Sequence, residues 1–158
     1  MDRVPITPDG ALRMAAELAY LKETLRPKIV RDIEEARAHG DISENSEYED
    51  AKERQALCEG KIGELSSQLA ALEIIDVKKL PVSNRVVFGV TVELEDTDSG
   101  EIAEYRIVGK YEADAKAGLI SVTSPIGRAV IGKQKDDEVA VQTPRGTRRF
   151  VINEVHYR

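Results

Sequence analysis

The residues Tyr48, Ala51, Gln55, Cys58, Ile62, Leu65, Leu69 and Leu72 follow one another in steps of 3, 4, 3, 4, 3, 4 and 3. That spacing keeps one narrow stripe of an α-helix apolar over four heptads. A stripe so long is buried only by a second helix lying along it. A partner run precedes it. Ala11, Met14, Leu18, Leu21 and Leu25 also alternate steps of three and four, and Ile29, Ile33 and Ala36 continue the seam in shifted register. The shift falls at Pro27, which lacks an N–H and crowds the preceding turn, so a kink or a break into two helices is expected there. Thr7 and Pro8 read as the N-cap and first residue of this run.

Between the two runs, Gly40 follows the helix-ending Arg37-Ala38-His39 as a C-terminal cap, and Asp41-x-x-Glu44 opens the next helix. A short connection containing glycine makes the helices antiparallel neighbours. At about 1.5 Å per residue, runs of about 30 residues span roughly 45 Å. Two helices enclose no interior for a site, so such a hairpin is a device for reach or a dimerisation surface. Its turn is acidic: Asp41, Glu44, Glu47, Glu49 and Asp50 lie within ten residues that hold no base.

Past Lys78-Lys79-Leu80-Pro81, which reads as a linker, the apolar period falls to two. Residues 86–94, 102–108, 118–123, 138–143 and 149–157 are strand candidates, with turns at Asp96-Thr97-Asp98-Ser99-Gly100 and Thr143-Pro144-Arg145-Gly146. Ser124 and Pro125 open a short helix that Gly132 closes. The expected architecture is α+β: a coiled-coil hairpin over residues 1–77, then a small, mostly antiparallel sheet domain with one helix over residues 82–158. Some 80 residues can form a modest core of their own.

The 158 residues are 41% hydrophobic and 33% charged. No apolar run is long enough to span a bilayer, and Met1-Asp2-Arg3-Val4-Pro5 opens no secretory leader, so no membrane partner is expected. One cysteine, Cys58, allows no internal disulfide and fits a reducing, cytoplasmic setting. The net charge of −6 lies wholly in residues 1–78. An acidic turn repels phosphate, and a chain with no Trp and two Phe has little with which to stack bases, so neither a grip on free nucleic acid nor a single-strand platform is expected.

Asp41 and Glu44 admit two compatible readings. In one they form a capping box at the start of a helix. In the other, two carboxylates exposed together at an apex share a hard dication such as Mg²⁺, which keeps several waters and takes one or two protein carboxylates. Two ligands hold it weakly, so a partner would complete the site. His39 fits the helix dipole better than a ligand set, and Cys58 sits in the seam as a small hydrophobe. Arg37 and Lys52 flank the apex, as a solvated face or as guides for a passing phosphate backbone. Ser121, Ser124 and Pro125 read as the end of a strand and the start of a helix. No zinc constellation, hydrolytic triad or Gly-rich phosphate loop is present in the sequence.

The stretch Ala36-Arg37-Ala38-His39-Gly40-Asp41-Ile42-Ser43-Glu44-Asn45-Ser46-Glu47-Tyr48, with Ala51-Lys52-Glu53 after it, resembles the tip motif of the bacterial Gre transcript cleavage factors. A second stretch, Ile120-Ser121-Val122-Thr123-Ser124-Pro125-Ile126-Gly127-Arg128-Ala129 with Ile131-Gly132-Lys133 and Asp136-Asp137, is similar to the same family's C-terminal signature. The resemblance runs from end to end and includes Arg26-Pro27. It implies an antiparallel coiled coil and a C-terminal domain of FKBP-like fold.

It also implies binding to bacterial RNA polymerase, with the globular domain at the rim of the secondary channel and the coiled coil inside. There the paired acids, which fall on Asp41 and Glu44, would help hold a weakly bound Mg²⁺ shared with the polymerase. The polymerase would then hydrolyse the 3′ end of its own backtracked RNA, making this chain a stimulating cofactor rather than an enzyme. The resemblance assigns RNA guidance to Arg37 and Lys52 and polymerase docking to Ser121, Ser124 and Pro125. Glu49, Asp50 and Arg54 depart from the usual motif, and extra tip acids are a mark of inhibitory relatives that occupy the channel without promoting cleavage. A structural coiled-coil module is the further alternative, against which a closed hairpin is expected to be a monomer when free. Residues 79–158 hold too few aromatics to line a prolyl isomerase pocket.

Overall fold

A computed structural model describes residues 2–39 and 46–158. Contacts divide the chain into one unit of residues 12–71 and another that joins residues 1–11 to residues 72–158.

The first unit is the hairpin. Helix α1 (Pro8–Tyr20) enters it, a π-helical turn (Leu21–Leu25) follows, and α2 (Arg26–Ala38) continues; α3 (Ser46–Ala70) returns. No break into two helices occurs at Pro27. The helical path is unbroken, and the disturbance is absorbed as one widened turn just before the proline, where the Arg26 amide donates to the Leu21 carbonyl. A π turn is a common answer to a disturbed i→i−4 ladder. Ile29, Ile33 and Ala36 on α2 are buried, as are Ala51, Cys58, Ile62 and Leu65 on α3. These are seam positions of the heptad pattern.

Cross-links fix the direction. Cys58 approaches the Leu21 carbonyl, Arg26 grips Glu59 through two hydrogen bonds of 2.8 Å, and Arg54 reaches Asp32 at 3.1 Å. From Arg26–Glu59 to Asp32–Arg54 one partner advances along the chain while the other retreats, so the helices run antiparallel. The Arg26 guanidinium holds the Glu59 carboxyl below the usual carboxylate range.

The second unit is built on a five-stranded sheet. Its strands are β3 (Thr91–Asp96), β4 (Ile102–Val108), β5 (Leu119–Ser121), β6 (Glu138–Thr143) and β7 (Gly146–His156), in the order β5-β4-β3-β7-β6. All neighbours are antiparallel except β4 and β5. The inward residues Val92, Leu94, Ile107, Val139, Val141, Phe150 and Ile152 form one buried cluster, closed by Val130 of the short helix α4 (Pro125–Val130).

Two sequence expectations are corrected in this unit. The strand expected over residues 86–94 begins only at Thr91, because Gly89 takes φ +93, which no extended strand allows. Val86 and Val90 are buried from a loop instead. The boundary at residue 77 also differs. Strand β1 (Val4–Ile6) pairs in parallel with β2 (Leu72–Ile74), and residues 1–11 therefore group with the sheet unit.

Glu112 secures that N-terminal segment. Its carboxylate accepts from the amides of Thr7 and Gly109 at 2.9 Å each and from the Thr7 hydroxyl. Thr7 Oγ1 in turn accepts from the Gly10 amide at 3.1 Å, the N-cap bond expected at the start of α1.

Candidate functional site

Asp41 and Glu44 lie outside the described residues, which resume on either side with the last turn of α2 and the first turn of α3. Arg37 is exposed in the last turn of α2. Lys52, exposed on α3, donates to Gln55 Oε1 at 3.1 Å. His39 Nδ1 stands 3.6 Å from Glu47 Oε2, both side chains largely in solvent. That contact links the C-terminus of α2 to the first turn of α3, a surface pair suited to hold a connection rather than to do chemistry.

Below it, Asp32, Glu35, Ala36, Glu47, Asp50 and Arg54 line an open concavity of about 280 Å³. Arg54 is bound to Asp32 there, so this departure from the usual tip motif has a structural role: it ties α3 to α2 amid four carboxylates. Among the described residues no three His, Cys, Asp or Glu stand close enough to hold a metal ion.

The second constellation is Ser121, Ser124 and Pro125, which the structure does bring together. Ser121 ends β5 and Pro125 starts α4. Ser124 caps that helix: its Oγ accepts from the Gly127 amide at 3.1 Å and donates to the Ser121 carbonyl at 2.7 Å. Ser121 Oγ shares a 2.8 Å bond with Thr123 Oγ1 and accepts from the Thr123 amide. A Cβ on Gly127 would run into the Ser121 carbonyl and the Val122 backbone. Thr123 and Pro125 are exposed above this compact turn while Gly127 and Val130 are buried beneath it. The result is a tightly bonded turn that presents a polar and a ring surface to solvent.

Sequence reasoning missed one arrangement on this unit. Asp96 was legible as the start of a turn, and its Oδ1 does accept from the amides of Asp98 and Ser99. Its Oδ2, however, takes two N–H groups of Arg148, from 52 residues away. The Arg148 guanidinium, followed by the two turn amides, holds the Asp96 carboxyl below the usual carboxylate range. Alternation places Arg148 on the face of Phe150, which was the available signal.

The chain is thus a two-helix arm joined in sequence to a small five-stranded sheet unit that carries the Ser121–Pro125 turn. Residues 4–74 match the family model described as transcription elongation factor, N-terminal, and residues 81–157 match transcription elongation factor GreA/GreB, C-terminal. The chain belongs to the GreA/GreB family of transcription elongation factors. It is 50% identical to transcription elongation factor GreA of Syntrophobacter fumaroxidans, covering 98% of this chain and 99% of that one. With GreA of an Anaeromyxobacter species it shares 52% identity over 99% and 94% of the two chains. Among solved structures, GreA factor homolog 1 (Gfh1) of Thermus thermophilus is 29% identical over 98% and 99% of the chains, with a TM-score of 0.44. Among the described residues no helix is long and apolar enough to cross a membrane.

Proposed function

We propose that this factor acts in the cytoplasm on stalled bacterial RNA polymerase, entering the secondary channel as a monomer and stimulating the polymerase's own hydrolysis of the 3′ end of backtracked RNA. The chain carries no reaction by itself; it supplies groups that the polymerase lacks. What supports this reading is the position in the sequence of Asp41 and Glu44, between two helices tied together by Arg26–Glu59 and Arg54–Asp32, in a chain matched by both family models.

The donor set fits a hard dication: two carboxylates offer oxygen ligands only, as Mg²⁺ requires, and leave room for waters and for the partner's ligands. When bound, such an ion would supply Lewis-acid stabilisation of charge and an activated water. Asp41 and Glu44 would orient that site. Arg37 and Lys52, on the helices to either side, would attract the phosphates of the extruded RNA past an acidic tip. Ser121, Ser124 and Pro125 would dock on the polymerase, their geometry held by the Ser124 cap.

Release of short 3′ fragments from stalled elongation complexes tests the reading. Asp41→Asn and Glu44→Gln should each bind polymerase normally and lower cleavage about a hundredfold, the loss typical of one electrostatic group in a preorganised site. Full-speed cleavage by both variants would refute it. The acid-lined concavity at Glu47 and Asp50 favours one second reading, an inhibitory occupant of the channel. That reading predicts slowed RNA synthesis and no fragments from the wild type.

A further inference from the structure

Residues 143–149, the turn between β6 and β7, hold Arg145, Arg148 and Arg149 and no acid, in a chain of net charge −6. The backbone there is stiff. Thr143 Oγ1 donates to the Gly146 carbonyl at 2.7 Å and accepts from the Arg145 amide at 3.3 Å. Pro144 fixes φ at one turn position, and Gly146 supplies the φ of +118 that the exit needs.

Arg148 is anchored on two sides. Its Nε and Nη2 donate to Asp96 Oδ2 at 3.3 and 2.8 Å, and its guanidinium lies 5.0 Å from the centre of the Phe150 ring. Asp96 is itself only 7% exposed. The Arg148 side chain nevertheless stays 51% exposed, and a guanidinium with five N–H groups keeps donors to spare after two are used. Thr143, Pro144, Arg145 and Arg148 line a concavity of about 370 Å³. It combines one oriented guanidinium, a second on a tight turn, a hydroxyl and an apolar ring.

We infer that this concavity recognises a carboxylate carried by an acidic segment of a protein partner, which, on the reading proposed above, is the polymerase. A guanidinium presents a planar fork that matches a carboxylate, and one already held in place loses little freedom on binding. A nucleic acid is the poorer occupant. Asp96 cancels one of the three charges, and Arg149 points to the opposite face of β7 from Arg148. On that opposite face Glu93 lies in register with Glu104 and Glu154, whose carboxylates are engaged by Arg158 and Lys135. A polyanion binds by neutralising several phosphates, and this concavity offers only the Arg145 guanidinium beside that of Arg148, which is shared with Asp96.

The test titrates the full-length wild type and Arg145→Glu against purified bacterial RNA polymerase, with a hexaglutamate peptide and a short DNA duplex as separate probes. Arg145→Glu should melt with the wild type, bind polymerase about tenfold more weakly, and give the full yield of RNA fragments once saturating. Hexaglutamate should compete with the wild type for polymerase. Arg145→Ala should move affinity in the same direction by less. Undiminished polymerase affinity in Arg145→Glu overturns the inference, as does an equal loss on the DNA duplex. A wild type that fails to bind polymerase would sink the functional reading instead. The peptide then decides this inference: binding to wild type and not to Arg145→Glu sustains it, and binding to neither ends it.

Discussion

Asp96 spends both carboxylate oxygens, one on the backbone of its own turn and one on Arg148, and so ties the end of β3 to the start of β7. Because its folded carboxyl titrates below the ordinary range, the unfolded chain takes up a proton there before the folded chain does. The pair therefore stabilises fully above the ordinary aspartate value of about 3.9 and loses its effect as pH falls through the depressed value. Asp96→Asn should lower the melting temperature at neutral pH, with the gap to wild type closing below about pH 4. A gap that persists unchanged into acid would mean the amide turn, not the arginine, is what Asp96 serves. Glu112 works by geometry. Glu112→Gln can keep one acceptor for the Thr7 and Gly109 amides but loses the carboxylate charge and the oxygen that accepts from the Thr7 hydroxyl, and should cost about 1–3 kcal/mol in denaturant unfolding. The Thr7 cap was legible from Thr7-Pro8. Its support by Glu112, 105 residues away, was not, because nothing local to either residue encodes their meeting.

Among the elements, α4 emerged as its sequence suggests, with a Ser cap, Pro at the first position and Gly132 beyond the end at φ +81. Each of those signals acts within a single turn of chain, which is why it can be read there. Gly127 is different: its small size is demanded by β5, whose Ser121 carbonyl occupies the space. Gly127→Ala should destabilise by about 1–3 kcal/mol and displace the Ser121–Pro125 turn, weakening polymerase binding in the same titration. In the sheet, Leu94 is 1% exposed on β3, the central strand. Leu94→Ala should cost about 2–5 kcal/mol by chemical denaturation. Strand β3 itself was placed too early by its unbroken Val-rich run, since alternation cannot distinguish an extended strand from a buried loop that also needs valines.

Over the whole molecule, the unit that contains the sheet is discontinuous in sequence. Ile6 is fully buried, and β1 pairs with β2 at a sequence separation of 68, between Val4 and Leu72. Deleting residues 2–6 should therefore lower the thermal stability of the sheet unit, read from the near-ultraviolet signal of its tyrosines, although those residues are remote from it in sequence. An unchanged melt would show that the sheet holds without them. What the amino-acid order determined alone is whatever rests on short-range periodicity: two seamed helices, the alternation of four strands, and the caps of α1 and α4. Tertiary structure alone decided the partners that long loops bring together: Thr7 with Glu112, Asp96 with Arg148, β1 with β2, and the π turn by which the hairpin accommodates Pro27. The physical reason is range. Helix and strand periods repeat within a few residues, whereas a hydrogen bond between distant residues depends on how every intervening element has already packed.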